Sequence, residues 1–555
     1  MNRNRFFLAL ILLLSISIRI WLLGQLPQTF INDEAAFGYN AYSLIHTGKD
    51  EFGKSWPFIF SSFGDNKLPV YTYLAIPSIL IFGLNPFAVR IPGVVFSVIS
   101  ILLIYLISKK LFHNPFISLM SAFILAVSPW HIVFSRISFE AMVAFTCFLI
   151  GTYFYLNVLS SFRISRYFIA SAFFYILAFA TYRSYWITIP LFLISTYFLL
   201  IFPKFFKRAV FYFVLIGIGL MVILHISDPS ASKSRSVEVS IFNDKGVTIH
   251  SFQQLQEEGL QRNKVLSRLF HNPFIDYLSE FFYHYSHHFT GDFLFIGRNW
   301  YSPQPIPDVG VLYFIDIFFL LAGFIYLVQK NPRSRLMLIP IILLLTGPVS
   351  SSFTKDTPNT MRSIQMLASF PLILGSGFYF IWRMKFVSKY RYISSLVLTI
   401  IYGLSFMYAL RQYTINREER FPYYNLAKGY QALVNEITSL NHQYSKFVIT
   451  SQYGQPYIFL LFYMSYPPSN FQHEFTLTSP NDEGIYDVSS FNKYIFEKSD
   501  CPVGKIEPNT VYVCKGDRIP ADAQLLKTIK FNSNDVAFQV ITFDDKYVKS
   551  LPKSN

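Results

Sequence analysis

Long apolar runs alternate with short, strongly basic connections along most of this chain. Runs at 6–23, 94–107 and 336–345, with their weakly polar flanks, approach the roughly 20 residues a helix needs to cross a hydrocarbon core. The pattern predicts membrane-spanning helices at about 5–25, 88–108, 115–135, 138–159, 166–182, 184–202, 208–227, 311–330, 335–353, 364–384 and 391–412. The connections between them hold Arg3 and Arg5, Lys109 and Lys110, Arg163 and Arg166, Lys204, Lys207 and Arg208, Lys330, Arg333 and Arg335, and Arg383 to Arg391, with no Asp or Glu among them. That asymmetry is the positive-inside signature and places the N-terminus and these connections in the cytoplasm. The apolar stretch 68–84 is tempting as a further crossing, but it would move every later basic connection outside. Interrupted by Pro69, Pro77 and Pro86, it reads as a juxtamembrane or re-entrant segment. No small-residue cleavage site follows the first run, so it reads as a retained span, not a signal peptide.

Three polar segments remain, at 26–87, 228–310 and 416–555, all on the outer side of this topology. Within the last, 447–450, 512–514 and 537–543 have strand character and 423–440 has helical spacing, which predicts a small α/β domain. The expected division is a membrane domain over 1–415, with outer loops 26–87 and 228–310, and an extracytoplasmic domain over 416–555. The expected fold is therefore an α-helical polytopic membrane protein of about 11 transmembrane helices, with outer juxtamembrane helices.

Composition agrees. Only 14% of residues are charged and 52% are hydrophobic, whereas a soluble chain carries about a quarter charged. The net charge of +15 would suggest nucleic acid if it were clustered on one face; its placement in the short connections reports topology instead. Cys147 lies in an apolar run as a small hydrophobe. Cys501 and Cys514 lie in the tail, where a disulfide is allowed by the compartment.

Charged groups near the membrane are costly and so draw attention to function. Arg19, Arg90, Arg136, Arg183 and Arg362 break the positive-inside pattern, each in the outer half or at the outer end of a span. Singly they read as residues reaching for headgroups or carboxylates; with Lys67 they read as a basic pocket for phosphate, which the guanidinium fork suits. Asp33 and Glu34 follow the first span, and Glu140 opens another after Arg136. Alone, each reads equally well as a helix-end carboxylate. Beside phosphate-binding cations, a carboxylate serves as a general base. Tyr39, Tyr71 and Tyr182 are placed to line a sugar or isoprenoid site. His284, His287 and His288 form a weak metal signal, better read as aromatic-rich surface. No Walker loop, dinucleotide fingerprint, zinc-protease helix or nucleophile elbow occurs. The cytoplasmic connections are too short to build a nucleotide-binding domain, so a transferase of this shape takes its donor on a lipid.

The acidic pair after the first span, then Lys67-Leu68-Pro69-Val70-Tyr71, then Phe87-Ala88-Val89-Arg90-Ile91-Pro92, resembles the family 39 glycosyltransferases of the GT-C fold, which include protein O-mannosyltransferases and lipid A aminoarabinose transferases. Ser128-Pro129-Trp130 to Arg136, Asp292 to Gly310, and Met361-Arg362-Ser363 to Pro371 are similar to bacterial members of unassigned acceptor. The resemblance covers about 20–380; the tail beyond 416 matches nothing in that family. It implies inverting transfer of a sugar from a polyprenyl-phosphate donor to a hydroxyl of a protein, lipid or glycan on the outer face of the plasma membrane, with no nucleic acid involved. By position, Asp33 is implied as the catalytic acidic residue, Glu34 as its neighbour and Glu140 as a second acidic position. Lys67 is implied beside the carrier phosphate, and Arg183 and Arg362 fall where family members place basic residues; Arg90 and Arg136 join them as donor-phosphate candidates from the topology alone. Metal use varies across the clan, so a divalent metal is neither required nor excluded as cofactor. The other readings are an oligosaccharyltransferase or glycan ligase, though the Trp-Trp-Asp motif expected of the former is absent; a transporter or flippase, which would place its ionisable residues at mid-membrane; and a membrane scaffold without activity.

Overall fold

A computed structural model describes residues 3–544 and 548, except 28–29, 160–164, 203, 227–238, 245, 248, 250–252, 254–255, 257–271, 299–305, 331–334, 417–425, 480–485 and 532–533. Much of the expected outer loop 228–310, the connection residues Arg163 and Arg333, and the start of the helix expected from 423 lie outside the described residues. The chain forms two compact units. One comprises residues 1–21, 93–136 and 140–412, and the other 22–92, 137–139 and 413–555.

The first unit is helical, and each apolar run expected to span forms helix. Among the described residues, five helices are long and apolar enough to cross a membrane: Pro86–Phe112, Glu140–Val158, Phe206–His225, Arg335–Ser352 and Arg391–Ile415. A sixth crossing results if Pro115–Val127 and Pro129–Ser135 count as one span bent by 58°. The bend has a local cause. Pro129 cannot donate to the preceding turn, and the Ser128 hydroxyl instead accepts from the His131 amide at 3.4 Å. The runs at Arg166–Phe179, Tyr185–Leu200, Asp316–Gln329 and Met366–Trp382 are apolar but shorter. Large apolar side chains on Arg391–Arg411 point outward, Leu404 being 66% exposed and Ile393 63%, as on a helix that faces lipid.

Small residues let two of these helices touch. A Cβ on Gly377 would stand 1.9 Å from the Phe319 carbonyl oxygen, so the helices Asp316–Lys330 and Met366–Trp382 can meet only with glycine there. Beside this crossing Phe319 stacks on Phe378 with ring centroids 3.6 Å apart.

The second unit is mixed. The helix Asn32–Thr47 is followed by a hairpin of β1 (Phe60–Ser62) and β2 (Asp65–Lys67), then by the helix Val70–Phe82. That last helix covers most of the 68–84 stretch, is 13 residues long and contains Pro77; at about 1.5 Å per residue it is short of a crossing. The tail contributes β3 (Lys446–Thr450), β4 (Thr476–Leu477), β5 (Val488–Phe491), β6 (Tyr494–Glu497), β7 (Thr510–Lys515), β8 (Gln524–Lys530) and β9 (Val536–Thr542). They form a seven-stranded sheet in the order β4-β5-β6-β3-β7-β9-β8. The central β3 pairs in parallel with β6 and β7, and the remaining pairs are antiparallel. The strands expected at 447–450, 512–514 and 537–543 are β3, β7 and β9, and the expected helix is Leu426–Leu440. Cys501 and Cys514 form a disulfide, and Cys147 is buried with a free thiol.

Residues of the first polar loop and of the tail interlock within this unit. The Asn32 amide donates to Gln455 Oε1 at 2.8 Å, and the Tyr39 hydroxyl to the Tyr466 carbonyl at 2.9 Å. Gly38 lies so close to Phe462 and Val89 that a Cβ would fall 2.6 and 2.7 Å from them.

Candidate functional site

The sequence Asn32-Asp33-Glu34 opens a helix, and two carboxylates in a first turn suit the positive end of its dipole. Successive side chains on that turn face different ways, and here they meet opposite fates. Glu34 is fully buried. It accepts a two-pronged contact from Arg90, Nε to Oε1 at 2.9 Å and Nη2 to Oε2 at 3.1 Å. It also accepts from the amides of Ser138 at 2.9 Å and Ile31 at 3.4 Å, the latter being the reach-back of an N3 glutamate to the helix cap. Arg90 spends a further nitrogen, Nη1, on the carbonyls of Leu23 and Pro27, at 3.0 and 2.9 Å.

Asp33 stays partly open, its side chain 20% exposed, and accepts from Lys67 Nζ at 2.5 Å. Lys67 comes from β2, and its ammonium is also bonded to Asp65 Oδ2 at 3.0 Å. The rings of Phe63 and Phe37 flank it at 4.7 and 5.6 Å, distances at which an ammonium is attracted to a ring face. The unit therefore offers a partly accessible carboxylate with a nearly buried cation beside it. Asp65 was not among the residues singled out from the sequence. The available signal was its i, i+2 spacing from Lys67, which on a strand puts both side chains on one face.

Tyr39 and Tyr71 are fully buried. Their hydroxyls donate to the carbonyls of Tyr466 and Val89, each at 2.9 Å, and Tyr71 packs on Phe37. A further buried acid, Glu51, lies in this unit and also escaped notice in the sequence. Its Oε1 accepts from the Tyr457 hydroxyl at 3.3 Å, and its amide donates to Asn40 Oδ1 at 2.9 Å. Burial pushes the Glu51 carboxyl up to about 8, with Asp50 adding to the rise and Ser62, Tyr457 and Lys67 opposing it.

The remaining candidates lie in the helical unit. Arg136 is buried and donates to the carbonyls of Ile18, Arg19 and Trp21 at 2.8, 3.0 and 2.7 Å. It closes the C-terminal end of the first helix, where a cation is favoured. Arg19 is buried beside it and donates to the Ala126 carbonyl at 3.0 Å and to His131 Nδ1 at 2.6 Å. Arg362 pairs with Asp356 and donates to Thr354 Oγ1 at 2.9 Å, while its carbonyl accepts from Ser184 at 2.7 Å. Tyr182 lies within electrostatic reach of Arg362, Glu140, Asp356 and Arg183. His288 is buried against Ser351 at 3.0 Å, and His284 pairs with Glu280 at 2.9 Å. Among the described residues, no group of three or more His, Cys, Asp or Glu is arranged to hold a metal.

The family described as dolichyl-phosphate-mannose-protein mannosyltransferase matches residues 66–227, a stretch that contains Lys67, Arg90, Arg136, Glu140 and Arg183. The similarity to that family is confined to this segment, and Asp33, Glu34 and Arg362 fall outside it. No curated protein matches the chain in sequence. Among solved structures, the archaeal oligosaccharyltransferase AglB from Archaeoglobus fulgidus, in complex with an inhibitory peptide and a dolichol-phosphate, is 12% identical with a TM-score of 0.48. The match covers 83% of this chain and 64% of that one, so this chain spans less than two thirds of the archaeal protein. ArnT from Cupriavidus metallidurans, bound to undecaprenyl phosphate, is 11% identical with a TM-score of 0.41, over 84% of this chain and 75% of that one.

Proposed function

We propose that this protein is a multi-pass membrane glycosyltransferase that moves a sugar from a polyprenyl-phosphate donor to an acceptor hydroxyl on the outer face of the membrane. The observation that carries this reading is the Asp33–Lys67 pair: a carboxylate open enough to meet a hydroxyl, bonded to a cation that can meet a phosphate. The matched segment supports it, because it includes Lys67 and the helices that follow. In the reaction, the acceptor oxygen attacks the anomeric carbon from the face opposite the phosphate, which inverts that centre. Asp33 takes the hydroxyl proton, and the bonding pair leaves on the phosphate oxygen, where Lys67 offsets the developing charge.

Glu34 has a different part in this reading. With both oxygens engaged by Arg90 and two amides, it holds the end of the helix that presents Asp33. Arg183 and Arg362 we assign to carrier phosphate or headgroup contact, and Glu140 we keep as the second acidic candidate. The N-terminus is placed in the cytoplasm and the tail outside, on the distribution of Lys and Arg.

The test is to incubate purified protein with polyprenyl-phosphate mannose, glucose, arabinose and aminoarabinose, and separately with a lipid-linked oligosaccharide, and to follow carrier phosphate release. Asp33→Asn is expected to abolish release without loss of membrane expression. If the Asp33→Asn protein is as active as the parent, Asp33 is removed from the mechanism, and release only from lipid-linked oligosaccharides assigns the protein to the ligases instead.

A further inference from the structure

Lys67 faces two carboxylates, and the reaction above uses only one of them. Asp33 comes from the first turn of a helix, whereas Asp65 comes from the same strand as Lys67. Pairing of Phe60 with Lys67 and of Ser62 with Asp65 fixes that strand in its hairpin, so the Asp65–Lys67 contact at 3.0 Å is set by local backbone. The Lys67 side chain is 5% exposed, and those of Asp33 and Asp65 are 20% and 15% exposed. The two carboxylates share this ammonium, in a setting where water screens their charges only partly. Any anion drawn to Lys67 therefore also meets the Asp65 carboxylate, 3.0 Å from the ammonium.

We propose that Asp65 is a positioning residue that anchors Lys67 and, by sharing its charge, limits how tightly the site grips the departing carrier phosphate. This rests on the polyprenyl-phosphate reading. The chemistry gives the second carboxylate a use. The donor is a phosphodiester with one negative charge. When the bond from the anomeric carbon to oxygen breaks, its electron pair stays on the phosphate. The product is then a phosphomonoester with close to two charges at neutral pH. A fixed carboxylate beside Lys67 opposes the product more than the donor, and so favours its release once the sugar has gone.

The test is equilibrium binding of two probes, polyprenyl monophosphate and polyprenyl-phosphate mannose, to the purified full chain. Asp65→Asn is expected to bind the monophosphate on the order of tenfold more tightly, equivalent to about 1.4 kcal/mol, and the mannosyl donor only about threefold more tightly, as its smaller charge requires. Asp65→Glu, which restores the charge, is expected to return both constants to within about twofold of the parent. Damage to the fold weakens binding, so tightening confined to the Asp65→Asn protein is a readout that a merely structural role does not give. If the parent binds the monophosphate and Asp65→Asn binds it equally or less well, the role of Asp65 is overturned and the transferase reading stands. If the parent binds neither probe, both fall.

Discussion

Removing the Glu34 carboxylate separates an anchoring acid from a reacting one. In Glu34→Ala the Arg90 guanidinium remains fully buried with its carboxylate partner gone, and the Ser138 amide loses its acceptor. Breaking one side of a buried pair costs about 3–5 kcal/mol, because the remaining charge loses its counter-charge. Asp33→Ala, by contrast, removes a partner that is one-fifth exposed from a lysine that keeps Asp65; a loss of about 1 kcal/mol or less is expected. Replacing both members of the buried pair, as Glu34→Leu with Arg90→Met, removes the stranded charge and should recover part of the loss. The assay is thermal unfolding of purified protein in one detergent, followed by tryptophan fluorescence and by retention of a monodisperse peak after heating. The order expected, from least to most stable, is Glu34→Ala, then the double variant, then Asp33→Ala close to the parent. Glu34→Ala melting with the parent, or Asp33→Ala melting as early as Glu34→Ala, refutes the assignment of the two acids.

Two further outcomes follow from the same unit. Burial raises the Glu51 carboxyl to about 8 in the fold against 4.5 in the unfolded chain, so the folded state holds the proton over the interval between them. Stability contributed by the protonated form is present below pH 4.5 and is lost as pH rises towards 8. Glu51→Gln should flatten this decline between about pH 4.5 and 8, and parallel melting curves for parent and variant across that range would count against it. Cys501→Ser, which opens the bond to Cys514 thirteen residues away, should cost about 2–4 kcal/mol and expose the strand Thr510–Lys515 to protease; unchanged cleavage kinetics would show that the sheet holds without it.

Much of the architecture was legible because the bilayer and the helix impose simple rules. Apolar length and the side on which Lys and Arg fall marked each run that became helical, and the alternation in β3, β7 and β9 marked three strands of the tail. The bend at Ser128 and Pro129 was carried by two residues, yet span prediction by length alone reads straight through it. The site was only half legible. Asp33 and Lys67 stood out because charged residues are rare near apolar runs. Nothing local told Asp33 from Glu34, since the difference lies in Arg90, 56 residues further on. Tyr39 and Tyr71 were singled out for their place in the topology; the backbone partners of their hydroxyls were not legible, because any nearby carbonyl can satisfy a hydroxyl. Glu51 left no trace in the pattern because its burial comes partly from Tyr457, more than four hundred positions away.

The interlocking of the first polar loop with the tail has a consequence for how the protein is made. Asn32 finds Gln455 across 423 residues, and Tyr39 finds Tyr466 across 427. A ribosome adding about 5–20 residues per second leaves some tens of seconds between the two halves of this unit. Through that interval the segment bearing Asp33 is already synthesised while its partners are not. Gly38 and the faces of Asn32–Thr47 that later meet Phe462 and Tyr466 are meanwhile uncovered, a period in which a nascent chain depends on chaperones or on its own slow closure. This early segment is thus among the last to be finished, and a ribosome stalled anywhere between it and residue 455 leaves it incomplete.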